Sequence, residues 1–225
     1  MSPENTPHLK PGQNPLLRWI LRIHEPLRRD RTLILGEKAL RLHELHNQGC
    51  RVPDGLLLSA GFFREFIHLA GLNDFLASVS AAELKGETDL RSRVWSVFRD
   101  YSWPSNLLSP VEEQLSALMG EESCLWAVRS AVVGEDDEKA SFAGQYSTVL
   151  NTALKDLWSA VFYCFASFWS ERALVYRRQK GCRVQDPMIS VIIQTQLNPE
   201  YAGVFFANHP SDAREVCLVA AVSGL

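Results

Sequence analysis

The sequence predicts a mixed α/β fold on three observations. Short apolar runs framed by turn residues recur at 52–58, 123–128, 188–194 and 216–222. Stretches with helical periodicity lie between them, and no tandem repeat or low-complexity tract competes with that pattern. With 225 residues, 46% of them hydrophobic, the chain can bury one sizeable core or two small lobes.

Residues 1–32 are expected to form a flexible leader and a short docking helix. Pro3, Pro7, Pro11 and Pro15 punctuate the start, and PLLRWILRIHEPLR carries enough periodicity for a short helix before the charged run at 28–31. A firm helix is expected next. Gly36 precedes Glu37-Lys38-Ala39, Ala39 can share a buried face with Leu42 and Leu45, and Gly49 supplies a stop. Val52-Pro53-Asp54-Gly55 reads as a turn feeding a buried strand at Leu56-Leu57-Leu58. Ser59 can cap a helix whose Phe62, Phe63, Phe66, Ile67 and Ala70 form an apolar core stripe.

A helical segment is expected over about 72–119, broken near Lys85-Gly86 and at Trp103-Pro104-Ser105-Asn106. Within it, Ser109-Pro110-Val111-Glu112 reads as a helix start, with Ser109 as cap and Pro110 in the first turn. Ser123–Val128 is a buried strand candidate ending at Arg129-Ser130, followed by a charged loop at 134–139 and a small-residue loop from Ser141 to Thr148. Asn151 or Thr152 is then expected to cap one long helix over about 156–179, ended by Gly181. Met188–Gln194 is a strand, Asn198-Pro199-Glu200 a turn, and Gly203–Ala207 a strand expected to pair with it, before a third strand at 216–222.

Composition excludes several functions. The chain has 23 Lys plus Arg against 26 Asp plus Glu, a net charge of −3, so no bulk basic field exists for nucleic acid and any phosphate site must be local. The apolar run 160–169 is half of what a membrane span requires and reads as a core helix. Cys50, Cys124, Cys164, Cys182 and Cys217 lack metal-ligand spacing and read as buried thiols of a cytoplasmic protein. His43 and His46 lack the HExxH arrangement and a third ligand, so no metal site is assigned, and the acidic residues at 135–138 read as a solvated loop.

Three cations stand where they can meet an anion: Lys38 beside a glycine–helix junction, Arg129 at a strand end, and Arg172 in the aromatic-rich helix. Each has an ordinary ion pair as its alternative. The loop Ser141-Phe142-Ala143-Gly144-Gln145 can bring backbone N–H groups close to phosphate, with Ser141, Ser147 or Thr148 adding a hydroxyl. Neither a P-loop nor a dinucleotide fingerprint is present. Gln194 and Gln196 can meet an adenine edge or stabilise a hairpin.

The ordered set of motifs resembles the N-terminal nucleotide-binding domain of the phosphoenolpyruvate synthase and pyruvate, phosphate dikinase family, which includes rifampicin phosphotransferases. Gly36-Glu37-Lys38-Ala39 with Leu42 and Glu44-Leu45 is similar to GGKGxNLxEM, and Gly49 with Val52-Pro53-Asp54-Gly55 to GxxVPPGF. Val128-Arg129-Ser130-Ala131 with Glu135-Asp136 is similar to VRSSAxxED. Ser141–Gln145 matches SFAGQ, Glu171-Arg172-Ala173 with Tyr176-Arg177 is similar to DRAxxYR, and 191–194 and 202–205 are similar to VxVQxMV and AGVxF.

The resemblance implies a partial ATP-grasp-like domain over 33–225. It implies that Lys38 and Arg129 contact ATP phosphates and stabilise charge during transfer. It further implies that Ser141, Ala143, Gly144 and Gln145 cover the phosphates near Thr148, and that Gln194, Gln196 and Leu197 border adenine. Mg²⁺ is the implied companion of ATP, its ligands expected beyond residue 225 with the rest of the grasp. Phosphate would pass to a phosphohistidine domain, also outside these residues, and the 225-residue chain alone is expected not to complete turnover. The final acceptor stays open. GGKG becomes GEKA here, so Glu37 places a negative charge beside Lys38 and Ala39 removes glycine freedom, both expected to weaken phosphate binding. That departure supports the alternative of a non-catalytic nucleotide-binding or regulatory interaction module.

Overall fold

Alternation along three apolar strands builds the framework. The structure is a computed structural model that describes residues 13–27, 35–119, 124–132, 147–179, 188–206 and 218–224. It divides into two compact units, Met1–Thr195 and Gln196–Leu225. The first holds a five-stranded antiparallel sheet made of β1 (Ile20–Arg22), β2 (Gly55–Leu58), β3 (Trp126–Val132), β4 (Thr148–Thr152) and β5 (Ile189–Thr195), in the order β1-β2-β5-β3-β4. Leu56 pairs with Ile193 and Val128 with the same Ile193, so one face carries Leu56, Val128 and Ile193 while the other carries Leu57, Arg129 and Ile192.

The first face is the main core. Against it pack α2 (Ala60–Leu69), α3 (Asn73–Leu84), α4 (Leu90–Asp100), α5 (Ser105–Met119) and α6 (Leu157–Ala166). Ser59 caps α2 by accepting from the Phe62 N–H at 3.2 Å, and Phe62, Phe63, Phe66 and Ile67 are buried as the stripe predicts. The opposite face holds a smaller core of Leu21, Ile23, Leu35, Ala39, Leu57, Ala131 and Ile192, with α1 (Glu37–Asn47) on it. Gly49, at φ +83°, ends α1 in the left-handed region.

Several expectations are corrected by long-range partners. The expected docking helix is a 3-10 turn, Pro15–Trp19, that gives way to β1, because Ile20–Arg22 finds an open edge on β2. The helix expected to start at Ser109 starts at Ser105 and carries Pro110 in its interior. The long helix expected over 156–179 is two helices, α6 and α7 (Glu171–Gln179), separated by a 3-10 turn at Ser167–Trp169. Ser167 Oγ donates to the Cys164 carbonyl at 2.6 Å and Ser170 Oγ accepts from the Ala173 N–H at 3.4 Å, so hydroxyls serve both broken ends. Asn151 and Thr152 lie in β4 and cap nothing.

Beyond α6 the chain is anchored by Arg177. Its guanidinium grips Glu83 of α3 through Nε and Nη2, both at 3.0 Å, donates from Nη1 to the Phe168 carbonyl at 2.7 Å, and lies 4.1 Å from the centre of the Phe168 ring. This is a buried bidentate pair.

The second unit contains β6 (Tyr201–Phe206) and β7 (Leu218–Ser223), an antiparallel pair running from Tyr201↔Ser223 to Phe206↔Leu218. The expected pairing of the 203–207 strand with the 188–194 strand is therefore corrected: β5 pairs with β2 and β3 instead. Both β6 and β7 leave large apolar side chains such as Phe205 and Val219 exposed.

Candidate site between the first helix and the sheet

Lys38 is the second residue of α1, and its place is set by Gly36. A Cβ at Gly36 would stand 2.4 Å from the Ala131 carbonyl carbon, so only glycine lets the helix start lie against β3 this closely. Ser190 on β5 joins the same junction: its Oγ accepts from the Gly36 N–H and its hydroxyl reaches the Ala131 carbonyl, each at 3.0 Å. One serine thus ties β5, β3 and the start of α1 together.

Arg129 lies mid-strand on the α1 side of β3, opposite Ile192 on β5 and Thr148 on β4. The strand expected to end before it continues to Val132. Lys38 and Arg129 line one cavity of about 210 Å³ together with Arg41, Leu42, Leu45 and Ile192. Among the described residues that lining holds three cationic residues and no acidic one. Arg41 also donates to Glu44 at 2.9 Å along the helix.

Four of these residues, 38, 41, 42 and 45, follow helical i, i+3, i+4, i+7 spacing, so α1 presents one stripe to the cavity. Ala39, Leu42 and Leu45 are expected to share one buried face; Ala39 is buried and Leu42 packs, partly buried, against the same cluster. The face against the sheet carries Ala39 and His43, while Leu45 is 43% exposed. Arg41 was missed because it departs from the family motif, although its spacing from Lys38 was the available signal. Ala39 is helical and buried against the sheet, so this position of GEKA needs no glycine freedom. Glu37 opens the helix, where a negative charge suits the positive end of the helix dipole.

The other expected site residues are distributed unevenly. Thr148 is the register partner of Arg129. Gln194 lies on the same sheet face as Arg129 and is buried; its Nε2 donates to the Pro53 carbonyl at 2.9 Å and so helps hold the turn at 53–55. Gln196 and Leu197 belong to the second unit, where Gln196 Nε2 donates to the Leu197 carbonyl at 2.8 Å. Ser141, Ala143, Gly144 and Gln145 lie outside the described residues, as do the acidic residues 135–138 and Gly181. Arg172 is exposed on α7 and does not line this cavity.

The described histidines make structural contacts. His43 is buried, its Nε2 taking the Asn47 amide at 2.9 Å and its Nδ1 facing the Ile23 carbonyl at 3.3 Å, and His46 stacks on His24 at 4.0 Å. Among the described residues no group of three His, Cys, Asp or Glu side chains is placed to hold a metal ion. Cys164 is buried as expected, and burial pushes its thiol up to about 12. Cys50 is exposed and corrects the reading of all five as buried. Among the described residues no helix is long and apolar enough to cross a membrane.

Comparison with known proteins places this geometry in context. The profile of the family described as "Pyruvate phosphate dikinase, AMP/ATP-binding domain" matches residues 32–225. A "Probable phosphoenolpyruvate synthase" of Archaeoglobus fulgidus is 35% identical over 199 residues, which is 85% of this chain and 26% of that protein. A "Rifampicin phosphotransferase" of Bacillus subtilis is 30% identical over 213 residues, 92% of this chain and 24% of that protein. A "Probable phosphoenolpyruvate synthase" of Methanothermobacter thermautotrophicus is 29% identical over 209 residues, 89% of this chain and 31% of that protein. The chain spans between about a quarter and a third of the length of these curated relatives.

Proposed function

The chain belongs to the pyruvate phosphate dikinase AMP/ATP-binding domain family, and from that premise we propose that it is the ATP-binding portion of a phosphotransferase, holding the triphosphate for transfer to a phosphohistidine domain outside these 225 residues. One observation carries the reading: Lys38 and Arg129 line a single cavity with a third cation and, among the described residues, no acid. A triphosphate requires counter-charge, and the residue types suit it, an ammonium as a mobile point charge and a guanidinium as a planar fork. The N-terminal turn of α1 adds the partial positive charge of a helix start.

The cavity volume lies below the roughly 300–1,000 Å³ of sites that enclose a whole small molecule. It fits the phosphate chain rather than the complete nucleotide. In this reading Lys38 and Arg129 hold and orient phosphate oxygens and offset charge as the terminal phosphoryl group departs. Thr148 adds a hydroxyl beside Arg129 and Gln194 lies on the same sheet face toward the base, while the phosphate cover expected of Ser141–Gln145 falls outside the described residues and Gln196 and Leu197 belong to the second unit. Mg²⁺ would supply further charge neutralisation when bound. Among the described residues no group of three His, Cys, Asp or Glu side chains is placed to hold it.

The second reading, a nucleotide-binding or regulatory module without catalysis, is favoured by Glu37 beside Lys38. Titration calorimetry with ATP, with and without Mg²⁺, tests both. ATP binding that weakens at least about tenfold in folded Lys38→Ala and Arg129→Ala supports the phosphate roles; equal affinity in all three proteins overturns them. Tight ATP binding that Glu37→Gly leaves unchanged removes the argument for the second reading.

A further inference from the structure

A cavity of the first unit lies on β4 and α6, away from the cationic site. It has a volume of about 490 Å³ and sits between the edge strand β4, the start of α6 and Trp95 of α4. We propose that it is a second binding site, for an aromatic ligand that carries an amino group.

The walls argue for the aromatic part. The rings of Trp95 and Tyr163 meet edge to face, 5.6 Å apart at 86°, and both line the cavity. Such rings offer a flat apolar surface whose faces attract positive charge. Tyr163 already does so, since the Arg91 guanidinium lies 4.5 Å from its ring centre while donating to Ser147 Oγ at 2.8 Å.

The polar lining argues for the amine. Among the described residues it consists of Asn151, Thr152, Asp156 and Ser159, with one carboxylate and no Lys, Arg or His. This is the reverse of the cationic cavity, and an anionic group meets no opposite full charge among the described lining residues. Asp156 and Tyr163 are seven residues apart along the start of α6, roughly 10 Å at the helical rise. Arg91 stands at the Tyr163 end. A ligand that places its ring against Trp95 and Tyr163 therefore points its amine toward Asp156, away from the Arg91 guanidinium. Asp156 also outweighs the partial positive charge of the α6 N-terminus.

The backbone beside this cavity is specialised. Between the pairs Val128↔Val149 and Trp126↔Thr152, Ala127 on β3 faces two residues, Leu150 and Asn151, on β4. Asn151 takes φ 54°, the left-handed region, so the edge strand carries a bulge where it lines the cavity. Thr152 is 4% exposed, and its hydroxyl has no hydrogen-bond partner among the described residues.

The test uses tryptamine and its carboxylate counterpart, indole-3-propionate, titrated into the 225-residue protein and followed by the indole N–H signals in ¹H–¹⁵N spectra. Trp95→Phe assigns the Trp95 signal. The expected result is saturable tryptamine binding at about 1 mM or tighter that moves that signal. Indole-3-propionate binds at least about tenfold more weakly, Asp156→Asn narrows the gap between the two, and ATP leaves tryptamine binding unchanged. Ser159 is exposed, so Ser159→Phe fills the cavity without touching the core and is expected to abolish binding. Absence of saturable binding, equal affinity for the two probes, or unchanged binding in Ser159→Phe overturns the proposal. These outcomes are independent of whether ATP binds at Lys38 and Arg129.

Discussion

The side-chain amide of Asn14 donates to the main-chain carbonyl of Asn106 at 2.8 Å, four residues before Pro110 in α5. In an uninterrupted helix residue 110 would supply that bond, and proline has no N–H to give. A residue 92 positions away takes its place. Asn14 also caps the 3-10 turn at Pro15–Trp19 by accepting from the Leu16 N–H at 2.9 Å, so one side chain serves two elements.

Asn14→Ala is therefore expected to lower stability by about 0.5–1.5 kcal/mol for the donated bond, with a smaller addition for the cap. Pro110→Ala restores an N–H to the helix, so in that background the Asn14→Ala penalty shrinks. Urea unfolding of the four proteins of this cycle measures the coupling, and full additivity would contradict the account.

Gly36→Ala is expected to destabilise by about 1–3 kcal/mol, because the new methyl meets the Ala131 backbone and not a flexible side chain. It moves the start of α1 away from β3. If Lys38 and Arg129 bind ATP together, affinity falls although no charge has been removed, which calorimetry on the folded variant reads directly.

Glu83→Ala strands the Arg177 guanidinium in a site where the pair's side chains are only 8% and 13% exposed. The expected cost is about 3–5 kcal/mol, larger than for Glu83→Gln, which keeps a hydrogen-bond acceptor. Urea midpoints of the two variants test this order.

Cys164 makes a pH-dependent contribution. Its ordinary value is 9.0 and burial raises it to about 12 in the folded chain. The unfolded thiol ionises first, so the native state binds the extra proton between those values. The contribution is complete below pH 9 and is lost as pH rises toward 12. Relative to Cys164→Ala, the wild-type protein should lose stability between about pH 8 and pH 10.5, a difference measurable by urea unfolding at each pH; parallel profiles would contradict it.

What the sequence disclosed depended on the distance over which each signal acts. Ser59 and Gly49 act within a turn of their helices, and both were legible. Ser109-Pro110-Val111-Glu112 satisfies every local rule for a helix start and is not one, because the carbonyl that Pro110 leaves without a donor is served by Asn14. The strand over 203–206 was paired with its nearest predecessor, whereas β5 has two better partners far back in the chain, β2 and β3. At the site, Lys38 and Arg129 could be named from chemistry and motif. The stripe of Arg41, Leu42 and Leu45 was visible in the spacing but ambiguous, since leucines at helical intervals line a core or a cavity equally well. The aromatic cavity had no motif at all: Trp95, Asn151 and Tyr163 meet only once the chain has folded.

The position of β5 has a consequence for biosynthesis. It is the last strand of the five to leave the ribosome and the one at their centre, between β2 and β3. Leu56 must wait for Ile193, its register partner, and at ordinary translation rates that delay is on the order of 10 s. Throughout it, the apolar edges of β2 and β3 are present without their shared neighbour. The nascent chain thus acquires its central sheet in one late step, and during the wait those strands are natural clients for chaperones that shield unpaired edges.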